Sequence, residues 1–230
     1  MNVSYASYAA KVNKRTALKV GTKTIGEELL YAFHIMIHPF DGFWDLKHEK
    51  RGSVRSAFLI LLITIVTFAY ESLGTGYIFS QKTAADYSGI YSTIISVVIP
   101  VMLWVISNWC LTTLFDGEGK FSDIFVATCY ALIPIPLFKI PSVLLSRVLV
   151  ADERGIITTL ETIGWLWFAM LLYIGMMTTH GYSFGKNFIT VIATIFVMAI
   201  IMFLAVLFFE LMAKLVNLVT QLWLEISFRT

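Results

Sequence analysis

The sequence is poor in cysteine and in charge. Only two cysteines, Cys110 and Cys129, occur among 230 residues, and both lie inside apolar runs, so no disulfide framework is expected. We interpret them as small core residues. Charged residues make up 14% of the chain, against roughly 25% in an ordinary soluble domain. This composition excludes a soluble enzyme.

Motifs that carry catalytic or cofactor chemistry are also missing. The chain has no Ser-His-Asp arrangement, phosphate loop or G-x-G-x-x-G pattern. His34 and His38 have the spacing of some metal pairs, but Pro39 disturbs the helix directly after them and no H-E-x-x-H motif accompanies them. Asp116–Gly119 resembles part of a calcium loop without its ligand spacing, and we interpret it as a tight turn. We therefore predict no enzyme, no cofactor and no metal site.

Long apolar runs dominate what is present. A run of about 18 or more apolar residues can cross a hydrocarbon layer of roughly 30 Å as a helix. The chain is 58% hydrophobic, and its loops are short, which predicts one all-α bundle of five transmembrane helices. The predicted crossings are residues 56–79, 92–115, 124–149, 156–180 and 188–209.

The distribution of basic residues predicts the orientation in the membrane. Cytoplasmic flanks carry the Lys and Arg excess, so we expect the N-terminus inside the cell and, after five crossings, the C-terminus outside. The N-terminal stretch has no apolar signal segment, so the first crossing is expected to act as its own insertion signal. Nine of the 17 basic residues precede that crossing: Lys11, Lys14, Arg15, Lys19, Lys23, Lys47, Lys50, Arg51 and Arg55.

Four segments follow from these patterns. Residues 1–24 are predicted to be a basic flexible arm that the anionic inner leaflet attracts; they lack interleaved aromatics, so nucleic acid is not a predicted partner. An amphipathic juxtamembrane segment occupies 25–55, the five-helix domain 56–209, and an amphipathic extension 210–230.

The segment 25–55 begins with apolar residues at helical spacing. These residues predict a short helix on the cytoplasmic surface that ends at His38, before a turn at residues 39–42. The aromatic rings that follow suit the headgroup level of the bilayer. Candidate contacts for a partner or the interface here are Phe40, Phe43, Trp44 and Lys47.

Three ionisable residues fall inside the predicted crossings. The helical rise per residue places Glu71, Lys139 and Glu161 at the same predicted depth, roughly 22 Å from the inner face of the bilayer. They either pair with one another or snorkel separately to the outer interface. Lys139 lies in the third crossing, where Pro134, Pro136 and the later Pro141 predict a kinked or broken helix.

The last crossing continues beyond Phe209 as a helix with one polar stripe. Such a helix, from 188 to about 227, would run roughly 60 Å, twice the bilayer core. We expect the extension to lie on the outer interface or to pack on another protein. Its candidate contacts are Glu210, Lys214 and Trp223.

Three stretches resemble a known family. The stretch HPFDGFWDLKHEKRGSV at 38–54 is similar to the opening of bacterial members of the Yip (Ypt/Rab-interacting protein) domain family. Two further stretches resemble later landmarks of the same family: FDGEGKFSDIFVATCYALIP at 115–134 and HGYSFGKNFITVI at 180–192. The resemblance covers about residues 30–210.

The resemblance implies a non-enzymatic five-helix protein of the cell membrane. Eukaryotic members act in vesicle trafficking with Rab-type GTPases, but this chain lacks the long acidic or proline-rich N-terminal region that many of them carry, so Rab binding is not expected. Two functions remain open. One is a scaffold or accessory subunit that binds other integral membrane proteins, for example in a transport complex, and the other is a transporter or channel centred on Lys139.

Overall fold

A computed structural model describes residues 25–76 and 90–229 of the chain. The predicted N-terminal arm and most of the predicted loop at 80–91 lie outside these residues. The described residues form α-helices and no strand. In chain order the helices are α1 Ile25–Ile37, α2 Pro39–His48, α3 Val54–Gly74, α4 Ile90–Thr112, α5 Phe121–Ala131, α6 Pro134–Leu145, α7 Arg154–His180 and α8 Phe184–Arg229, with a short 3-10 turn at Ala151–Glu153.

Five stretches of helix are long and apolar enough to cross a membrane, which confirms the number of crossings predicted from sequence. They are Val54–Gly74, Tyr91–Thr112, Phe121–Leu145, Arg154–His180 and Phe184–Glu225. The first begins at Val54 because Ser53 caps it: the Ser53 hydroxyl accepts from the Ser56 N–H, and the Ser56 hydroxyl accepts from the Ser53 N–H. The described part of this helix ends at Gly74, where the prediction continued to 79.

The third crossing is broken and central, and α5 and α6 together form it. The α-helical pattern stops at Leu132 and Ile133, directly before Pro134, because proline lacks the N–H that an α-helix needs at this point. Nearly every side chain from Ile124 to Pro136 is buried. Helices α3, α4 and α7 all pack against this crossing, so the predicted break lies in the middle of the bundle.

Helices α1 and α2 form an antiparallel hairpin, in which α2 packs along α7 and α1 contacts α3 and α5. Helix α1 ends at Ile37, one residue before the predicted end at His38, and the turn predicted at residues 39–42 is wrong, because α2 begins at Pro39. Proline suits a first helical position, where its missing N–H has no helical partner to lose. Gly42 permits the close contact between the two helices, since a Cβ there would lie 2.9 Å from the Ile35 Cα.

The tip of the hairpin lies beside the middle of α7, not beside its end. The Trp167 indole donates to the Met36 carbonyl at 3.2 Å, and Trp167 precedes the end of α7 by about 20 Å of helix. Of the predicted apolar face of α1, Leu30 and Ile37 are exposed and Leu29 packs against the core. Ala32 and Ile35, outside that face, are buried.

Helix α8 is one uninterrupted helix of 46 residues. Its first part packs mainly on α4 and more lightly on α7. Among the side chains of α8 whose burial the structure describes, Thr194 is the last buried one, and every side chain from Val206 to Glu225 is exposed. The extension predicted from residue 210 therefore continues the last crossing without a helix break.

Candidate functional site

The three ionisable residues of the crossings lie together, as the pairing hypothesis expected. Lys139 Nζ is 2.6 Å from a carboxylate oxygen of Glu71 and 3.9 Å from one of Glu161. Lys139 itself is buried, and its ammonium group also lies 4.8 Å from the centre of the Phe68 ring. This charge cluster (Glu71, Lys139 and Glu161) therefore joins α3, α6 and α7.

The surroundings of the charge cluster decide what it can do chemically. A polar cavity of about 220 Å³ borders the two carboxylates and is also lined by Ser142, Ser146 and Arg154. On the other side of Lys139, between Phe138 and Trp165, the free space is only about 10 Å³. Such a space holds about one water molecule. The cluster is thus a polar contact at the edge of a cavity, and its lysine is held between two acids.

The opposite end of the bundle, where α3 and α5 begin and α7 ends, is called the proximal end below. A buried hydrogen-bond network there joins three helices. The side-chain carbonyl oxygen of Asn108 in α4 lies 2.7 Å from Nε2 of His180 in α7. The amide nitrogen of Asn108 donates to the Thr194 hydroxyl of α8 at 3.3 Å. All three side chains are at most 2% exposed. The network fixes the positions of α4, α7 and α8 relative to one another.

Two loops close over this network. A Cβ on Gly119 would lie 2.7 Å from His180 Cε1, so only glycine lets the loop 113–120 approach the ring this closely. Gly181 ends α7 with a φ of +68°, a conformation that glycine adopts without steric cost. The Tyr182 ring stacks on His180 with centroids 5.0 Å apart, and burial raises the pKa of Tyr182.

The α2 helix and the start of α3 complete the proximal end. The ammonium group of Lys47 lies 2.8 Å from the Glu118 carboxylate, and this hydrogen bond lowers the pKa of Glu118. The hydroxyl of Tyr130, near the end of α5, lies 2.8 Å from Ser56 Oγ and donates to the Glu28 carbonyl at 3.2 Å. Parts of the stretches at 38–54, 115–134 and 180–192 therefore meet at one end of the bundle.

The candidate contact residues divide into exposed and buried ones. Phe40, Trp44 and Trp223 are more than half exposed, whereas Phe43 is 1% exposed. Phe43 packs on Gly175 of α7, where a Cβ would lie 3.0 Å from its ring, so its ring is a core element and is not available to a partner. Periodicity did not reveal this, because a ring packed on a glycine and a ring at the headgroups produce the same pattern.

The two charged candidates of α8 pair with each other. Lys214 Nζ lies 2.8 Å from the Glu210 carboxylate, one helical turn away, and both side chains are more than half exposed. Such exposed pairs contribute little to stability. Glu210 and Lys214 therefore remain accessible on α8, together with Trp223.

Sequence reasoning missed the polar network of the proximal end. Asn108 and Asn187 are fully buried, and the Asn187 amide donates to the Tyr173 carbonyl at 2.9 Å. The available signal was an isolated asparagine in an apolar run, since polar side chains in membrane helices join helices through hydrogen bonds. His34 and His38, weighed as a metal pair, instead stack their rings with centroids 5.1 Å apart.

Comparison with known proteins gives one result that covers most of the chain. The family model described as the Yip1 domain matches residues 33–219, which includes the charge cluster, the proximal end and most of α8. The family match thus extends beyond residue 210, where the sequence resemblance had ended. No curated protein and no solved structure matches the chain. The protein belongs to the Yip1 domain family and is a multi-pass membrane protein with five apolar helices.

Proposed function

We propose that this protein is a non-enzymatic scaffold or accessory subunit that binds other integral membrane proteins of the cell membrane. The observation that supports this proposal is the exposure of every side chain of α8 from Val206 to Glu225. A helix of 46 residues is about 69 Å long, whereas about 20 residues cross the hydrocarbon core. More than half of α8 is therefore not needed for its crossing.

The side chains of this exposed part favour a protein partner. Large apolar residues cover most of its surface, and bare exposure of such a surface to water is unfavourable. Lipid tails offer no hydrogen-bond partner to a side-chain amide. Even so, the amides of Asn217 and Gln221 lie in line with Glu210 and Lys214 along one side of α8. Another membrane helix can offer both apolar surface and hydrogen-bond partners, so it suits this side best.

The basic residues before α3 support a cytoplasmic N-terminus, and with five crossings the proposal then has the exposed end of α8 outside the cytoplasm. In this orientation the partner contacts α8 at the outer side of the membrane. The proposal includes neither a Rab-type GTPase nor nucleic acid among the partners.

Transport is the second candidate function, and the polar cavity beside Glu71 and Glu161 favours it. A cavity with two carboxylates could admit a cation. Two observations weigh against it: both acids contact Lys139, and the space beyond that lysine holds about one water molecule. Uptake of a cation into liposomes that is lost in a folded Glu71→Gln/Glu161→Gln variant and kept in Glu210→Gln would favour transport over the scaffold.

Co-purification from native membranes in mild detergent tests the scaffold proposal. We expect the tagged full chain to retain the same few integral membrane proteins in independent preparations. The double variant Asn217→Leu/Gln221→Leu should lose them, because it removes the amides and keeps an apolar helix. The control Val216→Leu/Val219→Leu alters the same helix without removing a polar group and should retain them. Equal retention by both variants, or no retained membrane protein in any of several detergents, would contradict the proposal.

A further inference from the structure

An open cavity of about 610 Å³ lies at the proximal end, separate from the charge cluster. Its size is within the range of small-molecule sites. Its lining combines an apolar set of side chains with a basic set, and these sets are called its apolar side and its basic side below. The apolar side is formed by Phe43, Leu46, Val54, Val126 and Ala127, and the basic side by Lys47, His48, Lys50 and Lys120.

Two helix N-termini also border this basic cavity. Ser53 and Val54 belong to the start of α3, which has 21 residues, and Ser122 belongs to the start of α5, which has 11. The N-terminus of a helix carries a partial positive charge, and its N–H groups suit an anion. Both dipoles therefore add to the positive potential of the lysines.

Three lysines and two acids line the cavity, which leaves one formal positive charge in excess. The Glu118 carboxylate is engaged by Lys47 at 2.8 Å, and the Asp123 carboxylate accepts from the Lys120 backbone N–H at 3.4 Å as a helix cap. Among the residues that the structure describes, no carboxylate lies within ion-pair distance of the Lys50 or Lys120 ammonium group. The cavity thus carries excess positive charge.

We propose that this basic cavity binds an anionic phospholipid, with its phosphate at Lys50 and Lys120 and part of an acyl chain against the apolar side. The phosphate complements the two lysines and the two helix N-termini. The apolar side favours a lipid over a free phosphate, because an inorganic anion gains nothing from Phe43 or Val126. The cavity also borders the starts of the α3 and α5 crossings, where lipid headgroups are expected, and basic pockets between membrane helices bind such headgroups.

Native mass spectrometry of the purified full chain, titrated with dioctanoyl phosphatidylglycerol, tests this site. The variant Lys50→Asn/Lys120→Gln removes both charges, and asparagine tolerates the φ of +48° found at Lys50. We expect its affinity for the lipid to fall on the order of ten-fold or more. The control Arg55→Gln removes an exposed charge at the same end but outside the cavity, and should bind within about two-fold of the parent protein.

A variant with the opposite expected effect separates binding from misfolding. Glu118→Gln releases Lys47 from its ion pair and makes the cavity more positive, so it should bind phosphatidylglycerol more tightly than the parent. Dioctanoyl phosphatidylcholine and inorganic phosphate, titrated in parallel, should both bind more weakly. Unchanged affinity in the double lysine variant, or equal binding of phosphatidylcholine, would overturn the site. Equal binding of inorganic phosphate would identify a free-anion site and overturn the lipid assignment.

Discussion

The Lys139 ammonium group lies 2.6 Å from the Glu71 carboxylate, a direct ion pair between α6 and α3. Breaking a buried pair leaves an uncompensated charge, which costs more than the pair itself contributes. Lys139 is only 8% exposed, which raises the cost of breaking the pair. Glu71 and Glu161 are 28% and 33% exposed, so water still reaches their carboxylates and the cost is moderate.

For Lys139→Met we expect a loss of about 3 kcal/mol in the free energy of unfolding, measured in mild detergent, since two carboxylates then lack their cation. The double variant Lys139→Met/Glu71→Gln should recover part of this loss. Lys214→Met breaks the exposed pair with Glu210 and should change stability by less than about 0.5 kcal/mol. Equal effects of the two single variants would show that the charge cluster does not hold the helices together.

Gly175 tests the contact between α2 and α7. A Cβ at this position would lie 3.0 Å from the Phe43 ring, so Gly175→Ala should destabilise the protein by about 1–3 kcal/mol in thermal unfolding. Gly155→Ala lies in the same helix with nothing within 4 Å and should be neutral or slightly stabilising. Adding Phe43→Leu to Gly175→Ala should restore part of the loss, and no recovery would contradict this contact.

Asn108 is predicted to be the polar residue on which the proximal end depends most. Asn108→Leu leaves the buried His180 and Thr194 side chains without this partner, at a cost of about 1–3 kcal/mol. Asn217→Leu makes the same change on an exposed part of α8 and should leave the unfolding temperature unchanged. A double-mutant cycle of Asn108 with His180 measures the coupling energy between the two side chains. If the two single effects simply add, the hydrogen bond between them does not stabilise the protein.

The position of the α1–α2 hairpin can be measured by cysteine labelling. In a chain with Cys110 and Cys129 replaced, a cysteine at Ile37 should resist a membrane-impermeant maleimide, whereas one at Glu49 should react quickly. Ile37 is 67% exposed in the protein, so only the bilayer can protect it. Equally fast labelling at both positions would place the hairpin on the membrane surface, as the sequence alone suggests.

The sequence predicts the crossings well, because an apolar run of this length has few alternatives to a membrane helix. It also predicts the break before Pro134 and the shared level of Glu71, Lys139 and Glu161, since both follow from backbone geometry and helical rise.

What the sequence could not predict is which side of each helix meets protein. Lipid and protein interior are equally apolar, so periodicity does not distinguish a face on the bilayer from a face on the bundle. Phe43 was therefore assigned to the surface, although it packs on Gly175. The α1–α2 hairpin and the Asn108 network depend on contacts between residues distant in sequence, and a local pattern does not contain them.

Site-specific photo-crosslinking in native membranes tests the central claim, that the exposed part of α8 binds another integral membrane protein. A photoreactive phenylalanine analogue is placed at Gln221, on the polar side of α8, and as control at Phe58, an exposed residue of α3. The account predicts a defined crosslink from Gln221 to another membrane protein and only lipid adducts from Phe58. Lipid adducts alone at both positions would contradict it.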